Sequence, residues 1–154
     1  MLAIYLHHDS SVLTNVFCTQ ALCADSVVGY LSENFVSFGW DLTCHSNKQR
    51  MQAMLTRAFG SIAAGHIRDI SIERLPILAL VSKVKGQMEI FQVIQGNSTL
   101  DELMGQLLSA TDAYTDQVAV EVREEEEREA RNAVKREQDL AFEIAQQVNI
   151  FRSI

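Results

Sequence analysis

Apolar residues recur along this chain in two rhythms, and the switches between them predict its elements. Leu2-Ala3-Ile4-Tyr5-Leu6 is a short run of strand formers, read as a buried strand. His7 to Ser11 ends it and offers Asp9 or Ser10 as a helix cap. In the helix that follows, Val12, Val16 and Phe17 share a face, and Ala24-Asp25-Ser26 continues or restarts it. Val27, Val28 and Leu31 give a further stripe, ending near Asn34. Phe35 to Leu42 is aromatic and partly alternating, hence a second strand. Ser46 and Gln49 have capping-box spacing ahead of a helix that Gly60 closes, with Met51, Met54, Leu55, Ala58 and Phe59 on one face. Ser61 to Ile67 adds a helical turn or two, and Arg68 to Arg74 is a polar connection.

The chain's one proline, Pro76, introduces its most apolar short run, Ile77 to Val81. Proline lacks a backbone N–H and suits the first residue of a strand. The bond before it is also a candidate cis peptide. Ser82 to Gly86 connects this run to Met88–Gln95, and the pair predicts an antiparallel hairpin at the centre of a sheet. After Gly96-Asn97-Ser98, Thr99 with Glu102 caps a helix striped by Leu100, Leu103, Met104, Leu107 and Leu108. The order β-α-β-α-β-β-α specifies an α/β, thioredoxin-like domain over residues 1–111.

Residues 112–154 differ in character. Charge dominates from Glu121 to Glu143, around Glu124-Glu125-Glu126-Glu127, and no Pro or Gly follows Gly105. Opposite charges recur at helical spacing, as in Glu124 with Arg128 and Glu127 with Arg131. Val134, Ala141 and Val148 repeat every seven residues, with Ile144 and Phe151 offset by three, which makes about two weak heptads. One helix is expected from about Ala113 to Asn149, projecting beyond the domain by roughly 50–60 Å at 1.5 Å per residue.

The 154 residues suit one domain with an appendage, and 47% hydrophobic content excludes wholesale disorder. The net charge of −7 is uneven: residues 111–154 carry −5 and the first 110 carry −2. Nucleic acid is therefore excluded as a partner, since phosphate binding needs a basic footprint. No apolar stretch approaches the ~20 residues of a membrane helix. The N-terminus lacks a signal-peptide pattern, and a strand starting at Leu2 leads us to expect an excised domain. Three cysteines, Cys18, Cys23 and Cys44, read as reduced thiols in a cytosolic or nuclear setting.

Catalytic chemistry finds little support. Cys18 and Cys23 are five residues apart inside a helix, unlike the C-x-x-C pair that a helix N-terminus activates. His7, His8, Cys44, His45 and His66 lack zinc-ligand spacing, so no metal or other cofactor is expected. Ser10 and Ser11 beside His8 and Asp9 read as a helix cap, because triads form from separated positions. Binding is better served. Lys83 and Lys85 on the hairpin, with Lys48, Arg50 and Arg57 on the second helix, offer a basic surface for a carboxylate or an acidic partner. Met51, Met54, Met88 and Met104 suit either an adaptable apolar pocket or the core.

The run from Leu2 to Cys18 resembles the start of the UAS domain of the Fas-associated factor 1 family of UBX proteins. Trp40-Asp41-Leu42-Thr43, Val93-Ile94-Gln95-Gly96-Asn97, Glu127-Arg128-Glu129-Ala130-Arg131 and Val134-Lys135-Arg136-Glu137-Gln138-Asp139 are similar to its later segments. The resemblance spans nearly the whole chain. It implies a non-catalytic thioredoxin-like domain of a cytoplasmic and nuclear ubiquitin-pathway adaptor linked to apoptosis. It further implies that other domains take ubiquitinated proteins, and that a following UBX domain, absent here, engages the AAA ATPase valosin-containing protein. Such UAS domains bind long-chain unsaturated fatty acids and self-associate in response. The charged helix would lead to the UBX domain and help to grip the ATPase assembly, with Arg128, Arg131, Lys135 and Arg136 as its contact residues. In this layout Pro76 is expected to be cis and to face the turn His8-Asp9-Ser10-Ser11, which has no cysteine.

Overall fold

A computed structural model describes residues 1–152. β1 (Leu2–His7) lies at the sheet's centre, parallel to β2 (Val36–Asp41) and antiparallel to β3 (Ile77–Val84). β4 (Gln87–Gln95) pairs antiparallel with β3, giving the order β2-β1-β3-β4. The hairpin expected at the sheet's centre thus supplies one central strand and one edge. Its turn places Lys85 at φ 47° and Gly86 at φ 85°, the doubly positive geometry that matches strand twist in two-residue hairpins. Leu80 faces Gln92 while Val81 faces Ile90, so β4 bulges at Phe91.

Period-two alternation splits the strands between two cores. Ala3, Leu78, Leu80 and Ile94 face one side of the sheet, and Ile4, Leu6, Ile77, Ala79 and Val81 the other. The first side is covered by α1 (Val12–Phe17), a π-helical turn at Cys18–Leu22, α2 (Asp25–Asn34) and the start of α4 (Leu100–Arg152). Phe17, Ala21, Val27, Leu31, Leu103 and Leu107 fill that core. The second side is covered by α3 (His45–Arg68) through Met51, Leu55, Ala64 and Ile67.

The Leu75–Pro76 bond is cis. Gly96 N–H donates to the Pro76 carbonyl at 2.8 Å, and a Cβ at Gly96 would lie 2.5 Å from Pro76 Cδ. Only glycine permits that approach.

Several local expectations are corrected. Val12 and Val16 are 88% and 50% exposed, and the first helix instead buries Thr14, Phe17 and Ala21. Six α-helical residues followed by a π turn do not sustain one 3.6-residue face. Neither Asp9 nor Ser10 caps α1; Ser11 takes that position without a capping bond. Likewise Cys44, not Ser46, precedes α3, and Gln49 Nε2 meets His45 Nε2 at 3.1 Å. Gly60, at φ 82°, breaks α3 into two pieces as its position implied.

The largest difference lies at the C-terminus. Instead of separate helices, α4 runs unbroken for 53 residues. Its capping box forms reciprocally: Thr99 N–H donates to Glu102 Oε2 at 2.8 Å and Glu102 N–H to Thr99 Oγ1 at 3.3 Å. The chain divides into two compact units, the second beginning at Thr115. No single helix among the described residues is long and apolar enough to cross a membrane.

Candidate functional site

β1 delivers His8-Asp9-Ser10-Ser11 to its C-terminal end, where Ser11 meets the residue before cis Pro76, and backbone-directed bonds hold this turn from both sides. Ser11 N–H donates to the His8 carbonyl at 3.1 Å, Thr14 Oγ1 donates to the same oxygen at 2.9 Å, and Ser11 Oγ donates to the Leu75 carbonyl. Across the sheet, Asp9 N–H donates to Thr43 Oγ1 at 3.1 Å, and Thr43 N–H to Asp41 Oδ1 at 2.8 Å. The Thr43 bonds hold the Asp41 carboxyl below its usual range, with His7 and His8 adding to the effect. The Ser11 hydroxyl is buried and committed to a backbone carbonyl, and no thiol stands in the turn. The His8 and Ser11 side chains thus serve nearby backbone groups, while the Asp9 carboxylate meets the His7 ring.

Two clefts flank α3. The smaller, about 190 Å³, opens beside the turn between Leu42, Ile67, Ile70 and Leu75, with Lys48 and Arg68 at its rim. Both cations already act on one carboxylate. Arg68 Nε donates to Asp69 Oδ1 at 2.9 Å; that bond lowers Asp69, with His66 and Lys48 adding at longer range, and Asp69 in turn raises Arg68. The larger cleft, about 410 Å³, runs between the end of α3 and β4 over Phe59, Ile62, Ile67, Met88, Ile90 and Val93. Ile62, Met88 and Val93 are exposed there. His66, Gln87 and Glu89 supply its polar lining, and Lys83, the cross-strand partner of Met88, shares the face of the sheet that Met88 occupies.

The basic residues predicted to act together are therefore distributed. Lys83 pairs with Met88 across the hairpin, Lys85 sits in the hairpin turn, and Lys48 rims the smaller cleft. Arg50 and Arg57 are exposed on one side of α3, seven residues apart, whereas Lys48 is about 200° around the helix from Arg50. The methionines do not form one pocket: Met51 and Met54 pack in the α3 core, Met104 packs against the opposite face, and Met88 lines the groove. On α4, Arg128 pairs with Glu125 and Arg131 Nη1 with Glu127 at 3.6 Å, while Arg136 Nε donates to the Asn132 carbonyl at 3.3 Å. Lys135 is exposed. Sequence reasoning missed the α3–β4 groove because its walls come from segments some thirty residues apart. The exposed Met88 and Val93 on an alternating strand were its one visible sign. No group of three or more His, Cys, Asp and Glu among the described residues is disposed to hold a metal.

A thioredoxin-like domain whose first turn carries no thiol is the class that this geometry defines. A thioredoxin from Thermus thermophilus superposes with a TM-score of 0.53 over 70% of this chain and 71% of its own, at 16% identity, which shows the fold. The family model of Fas-associated factor 1 matches residues 1–109, and the chain belongs to that family, whose UAS domain it contains. It is 49% identical to human FAS-associated factor 1 over 145 residues, 94% of this chain and 22% of that protein. It is 31% identical to UBX domain-containing protein 3 of Caenorhabditis elegans, over 92% of this chain and 24% of that protein. The chain spans less than a quarter of the length of these two relatives.

Proposed function

We propose that residues 1–111 are a non-catalytic interaction module of a ubiquitin-pathway adaptor for the AAA ATPase valosin-containing protein, and that they bind long-chain unsaturated fatty acids and polymerise in response. Membership of a family with UBX-named relatives supports the adaptor reading. The observation that carries the lipid reading is the α3–β4 groove, lined by Phe59, Ile62, Ile67, Met88, Ile90 and Val93, with Lys83 paired across the strand from Met88. Each buried methylene contributes about 0.8 kcal/mol, whereas an exposed lysine–carboxylate contact contributes about 0–1 kcal/mol. Chain shape therefore sets selectivity, and the lysine sets orientation. Lys85, Lys48, Arg50 and Arg57 remain further cations for the acid or an acidic partner. The adaptor works in cytoplasm and nucleus, takes ubiquitinated proteins through other domains and meets the ATPase mainly through a UBX domain.

Light scattering on the purified chain tests this. Particle size should grow with oleate and stay constant with saturated palmitate, and Lys83→Glu should raise the oleate concentration needed. A chain indifferent to both acids has no sensing role.

A second reading rests on the charged second unit: a structural spacer presenting α4 to the ATPase complex, with Arg128, Arg131, Lys135 and Arg136 as contacts and no lipid binding. Deleting 113–149 from the adaptor would then weaken substrate unfolding, while a fatty-acid-blind groove variant would leave it intact.

A further inference from the structure

Four titratable side chains form one hydrogen-bonded line from the end of β1 to the π-helical turn. Tyr5 Oη lies 2.9 Å from Cys18 Sγ and 3.1 Å from His7 Nδ1, and His7 Nε2 lies 2.9 Å from Asp9 Oδ1. Cys18, His7 and Asp9 also line a groove of about 400 Å³ with Ser11, Thr14 and Asn15. The groove lies outside both clefts beside α3.

Two protonation patterns satisfy every link. In the first, the Cys18 thiol donates to Tyr5, Tyr5 to His7 Nδ1, and His7 Nε2 to Asp9. In the second, Cys18 is a thiolate accepting from Tyr5, and His7 is an imidazolium donating to both Tyr5 and Asp9. Two proton hops along bonds already made convert one into the other. Burial, reinforced by Cys18 and then Cys23, pushes the Tyr5 phenol far up, so Tyr5 passes a proton on without resting as a phenolate. His7 Nε2 stays within hydrogen-bond reach of Asp9 Oδ1, at 2.9 Å, in both patterns.

We propose that Cys18 is a covalent modification site for α,β-unsaturated carbonyl compounds, with His7 taking its proton through Tyr5. The thiolate is the nucleophile. Its sulfur lone pair forms a bond to the β-carbon as the C=C π pair shifts to an enolate. Asn15 supplies an amide donor in the groove for the enolate oxygen. The enolate then takes a proton from solvent at its α-carbon, His7 returns one to solvent, and a neutral thioether remains. The adduct is stable, so this is modification and not turnover.

Cys23 and Cys44 are internal controls, because both are exposed while Cys18 is half-buried. Exposure alone would rank Cys18 last. The intact chain is treated with substoichiometric N-ethylmaleimide, quenched over time, and each cysteine is followed by peptide mass spectrometry. Cys18 should label first. Tyr5→Phe and His7→Gln should each slow Cys18 at least about tenfold, a modest share of what a placed acid–base group contributes, and leave Cys44 unchanged. The pH profile separates a relay from mere packing. His7 faces Asp9 and Asp41 with His8 adjacent, and Tyr5 faces Cys18 and Cys23. The pH profile of Cys18 labelling should change shape in Tyr5→Phe, where the hydrogen-bonded line is broken, while that of Cys44 should not. Cys18 lagging behind Cys44 in the wild type, or both variants leaving its rate and profile unchanged, overturns the proposal.

Discussion

Residues 100–114 and 115–152 belong to one unbroken helix, yet different forces hold them. The first stretch buries Leu103, Leu107 and Ala110 against the sheet and starts at a reciprocal capping box. Beyond residue 121 every described residue is exposed, including Val134, Leu140, Phe142, Ile144 and Phe151. There the visible support is local: Glu125 with Arg128, Glu127 with Arg131, and a composition free of Pro and Gly. Tertiary packing normally supplies most helical stability in proteins. The second stretch shows what remains when it is withdrawn, which is propensity, charge spacing and length.

Leu107→Ala tests that contrast most severely. Leu107 is fully buried, and truncating such a leucine costs about 2–5 kcal/mol. Thermal unfolding followed by near-UV circular dichroism should fall sharply in midpoint, because Tyr5 and Phe17 belong to the same core. The far-UV helical signal should fall only in part. Complete loss of helix in the same transition would show that the distal segment depends on the core after all.

Gly96→Ala probes the core from the hairpin side. The new methyl meets Pro76 Cδ at 2.5 Å and the Pro76 carbonyl oxygen at 2.7 Å, neither of which is a flexible side-chain end. Forcing such an overlap costs about 1–3 kcal/mol. The midpoint should drop while the helicity of the distal segment stays constant. An unchanged midpoint would mean that the Pro76 approach is not tight.

The same division governs how much the sequence disclosed. The strands and their sequence with the helices were legible because β3 is apolar throughout its first five residues and α3 and the start of α4 carry sustained stripes. Short elements were not. Thr14 is buried because its hydroxyl finds the His8 carbonyl, a partner that no periodicity announces. β2 looks like a core strand by composition, yet it is an edge with Val36 72% exposed, and position in a sheet is a long-range property. The groove between α3 and β4 and the line from Cys18 to Asp9 are likewise products of tertiary register, visible in sequence only as unexplained residues. What could be read of the site was its missing chemistry, a first turn without cysteine.

A smaller effect is expected at the start of α4. Thr99→Ala removes one arm of the capping box, and such losses cost about 0.5–2 kcal/mol. The midpoint of the first unit should fall by less than with Leu107→Ala, with helicity lost from the first turn alone. Thr99→Asp should restore most of it, since Asp caps as well and its charge suits the helix N-terminus.

The smallest change addresses the distal segment directly. Arg131→Gln removes the pair with Glu127, whose partners are about two-thirds exposed at 3.6 Å. An exposed i,i+4 pair contributes about 0.2–0.5 kcal/mol, and glutamine keeps the helix propensity of arginine, so the charge alone is tested. At low ionic strength the far-UV signal should weaken slightly while the near-UV midpoint does not move. In about 1 M salt the Debye length falls to roughly 3 Å, and the difference between variant and wild type should vanish. If Arg131→Gln instead lowers the near-UV midpoint, a charge on the distal stretch is stabilising the core. The two parts of α4 would then share one source of stability, and the contrast between packed and charge-supported helix would fail.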